Sequence, residues 1–167
     1  MIVACAVTDA PNDKQQAEPM AQATLVNLAQ AGIEWPTDES GKPQAIPSTL
    51  DNGYYSEAAT EALEALGFDP YMAVGRQKHH EPAAEVSAEP ATATERMAAK
   101  VRTPEGQALY ARRKVIVEPV FGQIKEDRGF RRFSLRGLKK IRGEWSLVCL
   151  THNLLKIWRY GCVQNAG

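Results

Sequence analysis

Two acidic residues, Asp51 and Glu118, have neighbours that could support chemistry. Asp51 opens the turn Asp51-Asn52-Gly53 directly after the short strand expected at Ser48-Thr49-Leu50. A carboxylate just past a buried strand lies at the carboxyl edge of a sheet, where open α/β folds place their sites. The same residue also fits an Asp-led turn that bonds its own backbone. Glu118 is followed by Lys125 after nearly two helical turns, and Lys114 precedes it by four residues. On a continuous helix these side chains share one face. An acid among Lys and Arg suits metal and phosphate chemistry, and it equally suits a solvated face with ordinary i,i+4 pairs. A third group is the basic stretch Arg128, Arg131, Arg132, Arg136, Lys139, Lys140 and Arg142, interleaved with Phe130 and Phe133. Cations with aromatic neighbours can track a nucleic-acid backbone. They could also bridge to an acidic half of the same chain.

Charge distribution keeps both readings open. The 167 residues carry 20 Lys+Arg and 20 Asp+Glu, so the net charge is zero. Residues 1–100 hold 6 Lys+Arg and 15 Asp+Glu, and residues 101–167 hold 14 and 5, giving −9 and +9. Such asymmetry fits either nucleic-acid contact by the basic half or attraction between the halves.

Other chemistries have little support. His79-His80 has no second ligand pair at zinc spacing, and Cys149 and His152 stand three apart without another pair. They are expected to be core or capping residues. No Gly-rich loop of nucleotide-binding type is present. Cys5, Cys149 and Cys162 are odd in number and widely spaced, so a reducing cytoplasm is expected rather than a disulfide framework. No stretch reaches the roughly 20 apolar residues of a membrane span, and the start lacks a basic region before its apolar run.

The elements that must position these residues read as α/β. Residues 1–8 (MIVACAVT) fit a buried strand. A helix is expected over 14–30, slipping toward Pro19 at its start and closing at Gly32. Three prolines and Gly41 make 35–47 a loop. A short strand over 48–50, a Ser56-capped helix over 57–66 closed by Gly67, and a strand-like run over 70–74 complete a β-α-β-α-β order. Residues 76–104 are rich in Ala, Glu, Pro and Thr and read as a solvated insertion. A helix from Pro104 to about Asp127 should be kinked or broken by Pro119. The last helix, 144–160, is apolar on most faces and is expected to be buried. The divisions implied are 1–75, a flexible 76–104, and a helical 105–167.

Together these segments resemble the C-terminal portion of bacterial insertion-sequence DDE transposases, in the group with a Tyr-Arg-Glu-Lys signature. The resemblance rests on VEPVFGQIK (117–125), RGFRRFSLRGLKK (128–140) and THNLLKIW (151–158), with DNGYYSEAATEALEALGFDPYMAVGRQKH (51–79) and VACAVTDAPNDKQQAEPM (3–20) before them. It is weakest over 80–104. The resemblance implies a partial RNase H-like fold, a mixed sheet with flanking helices and long C-terminal helices, from which the first strands are missing. It implies Asp51 as the second catalytic acid and Glu118 as the third, both metal-binding, with Mg²⁺ or Mn²⁺ as cofactor. Tyr110 and Arg113 fit the signature's first gap, but four residues rather than three separate Arg113 from Glu118, and Lys114 has the expected spacing instead. Lys125 stands at the signature's last position. Asp9 and Asp13 follow the strand resembling the third, so neither substitutes for the first acid. DNA is the implied partner, with contacts from Arg113, Lys114, Lys125, Arg128, Arg131, Arg132, Arg136, Lys139 and Lys140. A homo-oligomer or a complementing N-terminal polypeptide, and a cytoplasmic, nucleoid-associated location, follow from the same resemblance. The expected activity is DNA strand cleavage and transfer, with this chain a fragment inactive alone. The alternatives are a non-enzymatic DNA-binding or inhibitory remnant, or a product without function.

Overall fold

A two-stranded parallel sheet with a helix crossing between its strands forms the centre of the protein. The computed structural model describes residues 1–74 and 92–161. Helix α1 spans Ala17–Gln30, strand β1 Ile46–Leu50, helix α2 Glu57–Ala65 and strand β2 Phe68–Met72. Helices α3 (Ala93–Arg102), α4 (Pro104–Ile116), the single-turn α5 (Glu118–Gly122) and α6 (Leu138–Gly161) follow. The strands pair in parallel, with Ile46 beside Phe68 and Leu50 beside Met72. Parallel strands need a long crossover, and α2 supplies it.

Local chemistry sets the boundaries. The Ser56 hydroxyl accepts the Ala59 N–H at 3.1 Å and starts α2. Gly67, at φ +85°, ends that turn and lets the chain enter β2. A Cβ at Gly67 would stand 3.0 Å from the Trp35 ring, which packs edge-on to Phe68 at 5.6 Å. Thr92 and Glu95 form a reciprocal capping box at the start of α3. Thr103 caps α4, with Pro104 in its first turn.

The core joins Ala17 and Ala21 of α1, Ala59 and Leu63 of α2, Tyr71 and Met72 of β2, and Met97 and Val101 of α3. Ile124, just before the basic loop, and Cys149 and His152 on α6 are buried as well.

Three expectations change. Residues 93–102, inside the stretch read as solvated, form α3. Its Met97 and Val101 repeat at helical spacing and reach the core, a signal masked by the surrounding Ala and Glu. The rest of that stretch through residue 91, with His79-His80, and also Cys162, lies outside the described residues. Residues 1–8 belong to no strand. Their backbone groups are met by side chains: Asn153 accepts the Ile2 N–H at 2.8 Å and donates to the Ile2 carbonyl at 2.7 Å. Asn27 donates to the Val3 carbonyl at 2.8 Å and Arg142 to that of Val7 at 3.0 Å. An extended segment without a neighbouring strand must satisfy its peptides in some such way. Finally, α6 begins at Leu138 rather than near Glu144, and only Cys149 and His152 on it are buried. Leu147, Leu150, Leu154, Ile157 and Trp158 are exposed, because the loop before α6 and residues 1–8 cover one side and no second layer of described residues covers the other.

Two outcomes test this packing. A Cβ on Gly106 would stand 2.1 Å from the Lys100 carbonyl and 3.0 Å from the Val101 Cα, both backbone atoms. Gly106→Ala should therefore cost about 1–3 kcal/mol of stability, read from urea unfolding. His152 is fully buried with neither ring nitrogen bonded, and burial holds its pKa below the ordinary value, helped by the charges of Lys156, Arg128 and the N-terminus. The unfolded chain takes up this proton near pH ~6.5 while the folded one does not. Stability should thus be full above that pH and fall below it. His152→Leu should flatten the drop in urea midpoint between about pH 7.5 and 5.5.

Candidate active site

Strand β1 delivers Asp51 to its carboxyl end, as its sequence position implied. Asp51 Oδ1 accepts the Asn52 N–H at 2.9 Å and caps the 3-10 turn Asn52–Tyr54. This is the Asp-led turn that the sequence also allowed. The other oxygen stays available, and Oδ2 faces Arg113 Nη1 at 3.4 Å. Asp51 thus closes its own turn while standing at the carboxyl end of the strand.

Arg113 comes from the last turn of α4, and its guanidinium lies over the Tyr110 ring at 5.4 Å. Burial pushes the Tyr110 hydroxyl pKa above its ordinary value, and Asp51 adds to this against the lowering effect of Arg113. Tyr54, on the turn after Asp51, is likewise raised, first by burial and then by Asp13 and Asp51. Asp13 lies against that turn, its Oδ2 3.6 Å from where a Gly53 Cβ would stand. Sequence reasoning set Asp13 aside on its strand position, and nothing local to it marks this contact.

The helix carrying Glu118 is broken as Pro119 demands. Proline has no N–H to give to the carbonyl four residues back. The path closes instead through Val117 N–H to the Arg113 carbonyl at 2.9 Å and Val120 N–H to the Val117 carbonyl at 3.1 Å. A wide turn of π type follows over Gln123–Asp127, with Arg128 N–H bonding the Gln123 carbonyl at 3.1 Å. On a regular helix, residues five apart diverge by about 140°. Arg113, Glu118 and Lys125 nevertheless all line one cleft of about 740 Å³ together with Asp51. Lys114, which has the better signature spacing, is exposed and does not line it. The cleft's other wall is apolar, formed by α1 and β1. Two buried polar atoms in its lining residues, Ser48 Oγ and Arg113 Nε, have no hydrogen-bond partner among the described residues.

The basic stretch divides between a loop and the start of α6. Arg128 bonds the Val148 carbonyl at 3.3 Å and the Thr151 hydroxyl, and Arg131 pairs with Glu126. Arg132, Arg136, Lys139 and Lys140 are exposed and make no ion pair among the described residues. Phe130 and Phe133 pack on Trp145, with ring centroids 6.3 and 6.4 Å away, rather than standing free as stacking platforms.

Hard oxygen donors on a shared cleft suit Mg²⁺ when phosphate oxygens complete its shell. Among the described residues, no three His, Cys, Asp or Glu groups converge as a ligand set. Asp51 and Glu118 would therefore hold such an ion only with help from outside the chain's described part.

A family description, "Transposase DDE domain", matches residues 73–158, just over half of the chain. The chain belongs to this family, and its function is of transposase type. No curated protein and no solved structure matched. The matched span includes Arg113, Glu118, Lys125 and the basic stretch; Asp51 lies before it.

Asp51→Asn and Glu118→Gln should be clean probes. The Asp51 side chain is 63% exposed, and Asn keeps an acceptor for the turn. An exposed pair of this kind contributes at most about 1 kcal/mol. Each variant should unfold in urea within that margin of the parent.

Proposed function

We propose that this chain carries part of the active site of a metal-dependent DNA transposase that cleaves and transfers strands at the ends of an insertion sequence. The observation carrying this is the convergence of Asp51, Arg113, Glu118 and Lys125 on one cleft in a chain of the transposase family. Mg²⁺ or Mn²⁺, when bound, would supply Lewis-acid stabilisation of phosphodiester displacement. Asp51 and Glu118 are its ligands in this reading. Arg113 and Lys125 bind phosphate oxygens beside them. Arg132, Arg136, Lys139 and Lys140 hold the flanking duplex, while Arg128 and Arg131 shape the loop. Lys114, exposed outside the cleft, has a duplex contact in this reading rather than a site contact.

The described elements fit a portion of an RNase H-like fold that works with a complementing polypeptide. Among the described residues strand β1 has no neighbour on its outer side, and the cleft lies beside it. The stripe Leu147, Leu150, Leu154, Ile157 is uncovered. Open edges and apolar stripes are where further strands add. A third carboxylate would arrive with such strands, so the chain alone is inactive in this reading. A second reading is a DNA-binding remnant that inhibits the complete enzyme by mixed assembly. The exposed basic stretch supports it without needing the metal site.

The test is duplex binding and Mg²⁺-dependent nicking of DNA carrying the element's ends. We expect salt-sensitive binding by the chain alone, with nicking only when a polypeptide bearing the first acid is co-expressed, and loss of nicking in Glu118→Gln. Binding without nicking in either preparation would favour the remnant. End-specific nicking by the chain alone would overturn its fragment status, and absence of salt-sensitive binding would overturn both readings.

A further inference from the structure

The basic loop has a difficulty of its own. Residues 128–137 contain no helix or strand, carry four arginines and include Gly129 and Gly137 at φ +65° and +85°. Like charges on an irregular segment push it apart, yet it follows one path. The aromatic packing of Phe130 and Phe133 on Trp145 holds its middle, and Arg128 holds its start. Its far side is held by one carboxylate. Glu144 Oε1 accepts the Ser134 N–H at 2.8 Å, and Oε2 accepts the Leu135 N–H at 3.1 Å.

Glu144 is the sole acid between Arg128 and the end of α6. Among the described residues it forms no ion pair. Both of its oxygens are spent on consecutive backbone donors. A negative charge beside a surface meant for a polyanion opposes binding, so its electrostatic effect there is adverse. Its geometric effect is to fix the chain between Phe133 and Arg136. Charge-assisted bonds to backbone N–H groups are among the stronger hydrogen bonds available for this. The Ser134 N–H is also the chief cause that holds the Glu144 carboxyl pKa below its ordinary value.

We infer that Glu144 is a positioning residue of the DNA interface, a carboxylate clamp that presents Arg132 and Arg136 to successive phosphates of a duplex. The inference rests on the reading that this loop binds DNA. It separates two effects of opposite sign. Were Glu144 merely one charge near the interface, neutralising it would strengthen binding. As the clamp, its loss lowers the fraction of loop in the binding arrangement, and apparent affinity falls with that fraction.

The experiment measures binding of the full chain to a mixed-sequence duplex across a salt series, for the parent, Glu144→Gln and Glu144→Ala. Amide hydrogen exchange at Ser134 and Leu135 is followed without DNA. We expect affinity to fall about tenfold in Glu144→Ala and less in Glu144→Gln, which keeps one acceptor oxygen. The salt slope should shrink as fewer phosphates are neutralised, and exchange at both amides should quicken. Urea midpoints close to the parent's would show that the fold is intact, and if Glu144→Ala fails to fold, Glu144→Gln alone decides. Unchanged or tighter binding by a folded Glu144→Gln would overturn the clamp while leaving the DNA reading in place. A parent chain that does not bind duplex would overturn the DNA reading, and the clamp's proposed role with it.

Discussion

The Lys100 ammonium makes three contacts at once. It pairs with the Asp69 carboxylate, donates to the Pro70 carbonyl at 2.9 Å and lies 4.4 Å over the Tyr71 ring. All three partners are consecutive residues of β2, so one side chain fixes α3 against the sheet. The elbow at Thr103 then sets α4, because Gly106 lets α4 approach the last turn of α3 more closely than any side chain would allow. Helix α4 carries Tyr110 and Arg113, and α5 follows with Glu118. Lys100, with Met97 and Val101 of α3 and Leu109 and Tyr110 of α4 packed on the core, thus seats the far wall of the cleft without entering it. The pair alone is partly exposed and of modest worth; the carbonyl and ring contacts make the geometry specific.

Proline 119 plays the complementary part. On a regular helix from Pro104 to Asp127, Glu118 and Lys125 would share a face and Arg113 would stand about 140° from Glu118. With no N–H at Pro119 and a wide turn over Gln123–Asp127, all three line one cleft. Arg113 faces Asp51, whereas its neighbour Lys114 is exposed and does not line the cleft.

Much of this could be read from residue order, and the failures have physical causes. Ser56, Gly32, Gly67, Pro104 and Pro119 announced boundaries because capping, positive φ and a missing donor act locally. Asp51 and Glu118 could be singled out by their neighbours, and the structure places both on one cleft. Helix α3 was missed because only Met97 and Val101 mark its inner face, and its remaining residues match those of a solvated segment. Residues 1–8 have strand composition, but a strand is a relation between two backbones, and composition does not supply the second one. The exposure of α6 has the same origin, since an apolar helix says that it needs a cover and not whether one is present. The contact of Asp13 with the turn after Asp51, and the use of Glu144 by Ser134 and Leu135, depend on loop paths that no periodicity encodes.

The hold of Asn153 on Ile2 has a consequence of its own. The amide gives its N–H₂ to the Ile2 carbonyl and takes the Ile2 N–H on its oxygen, so it imitates the peptide of a neighbouring strand at a single rung. Such a rung reads chain position and ignores side-chain identity. It works as a peg through one hole in a tape, and Asn27 at Val3 and Arg142 at Val7 are two more. A residue inserted between Val3 and Val7 would have to bulge out between fixed points rather than slide the tape along α6.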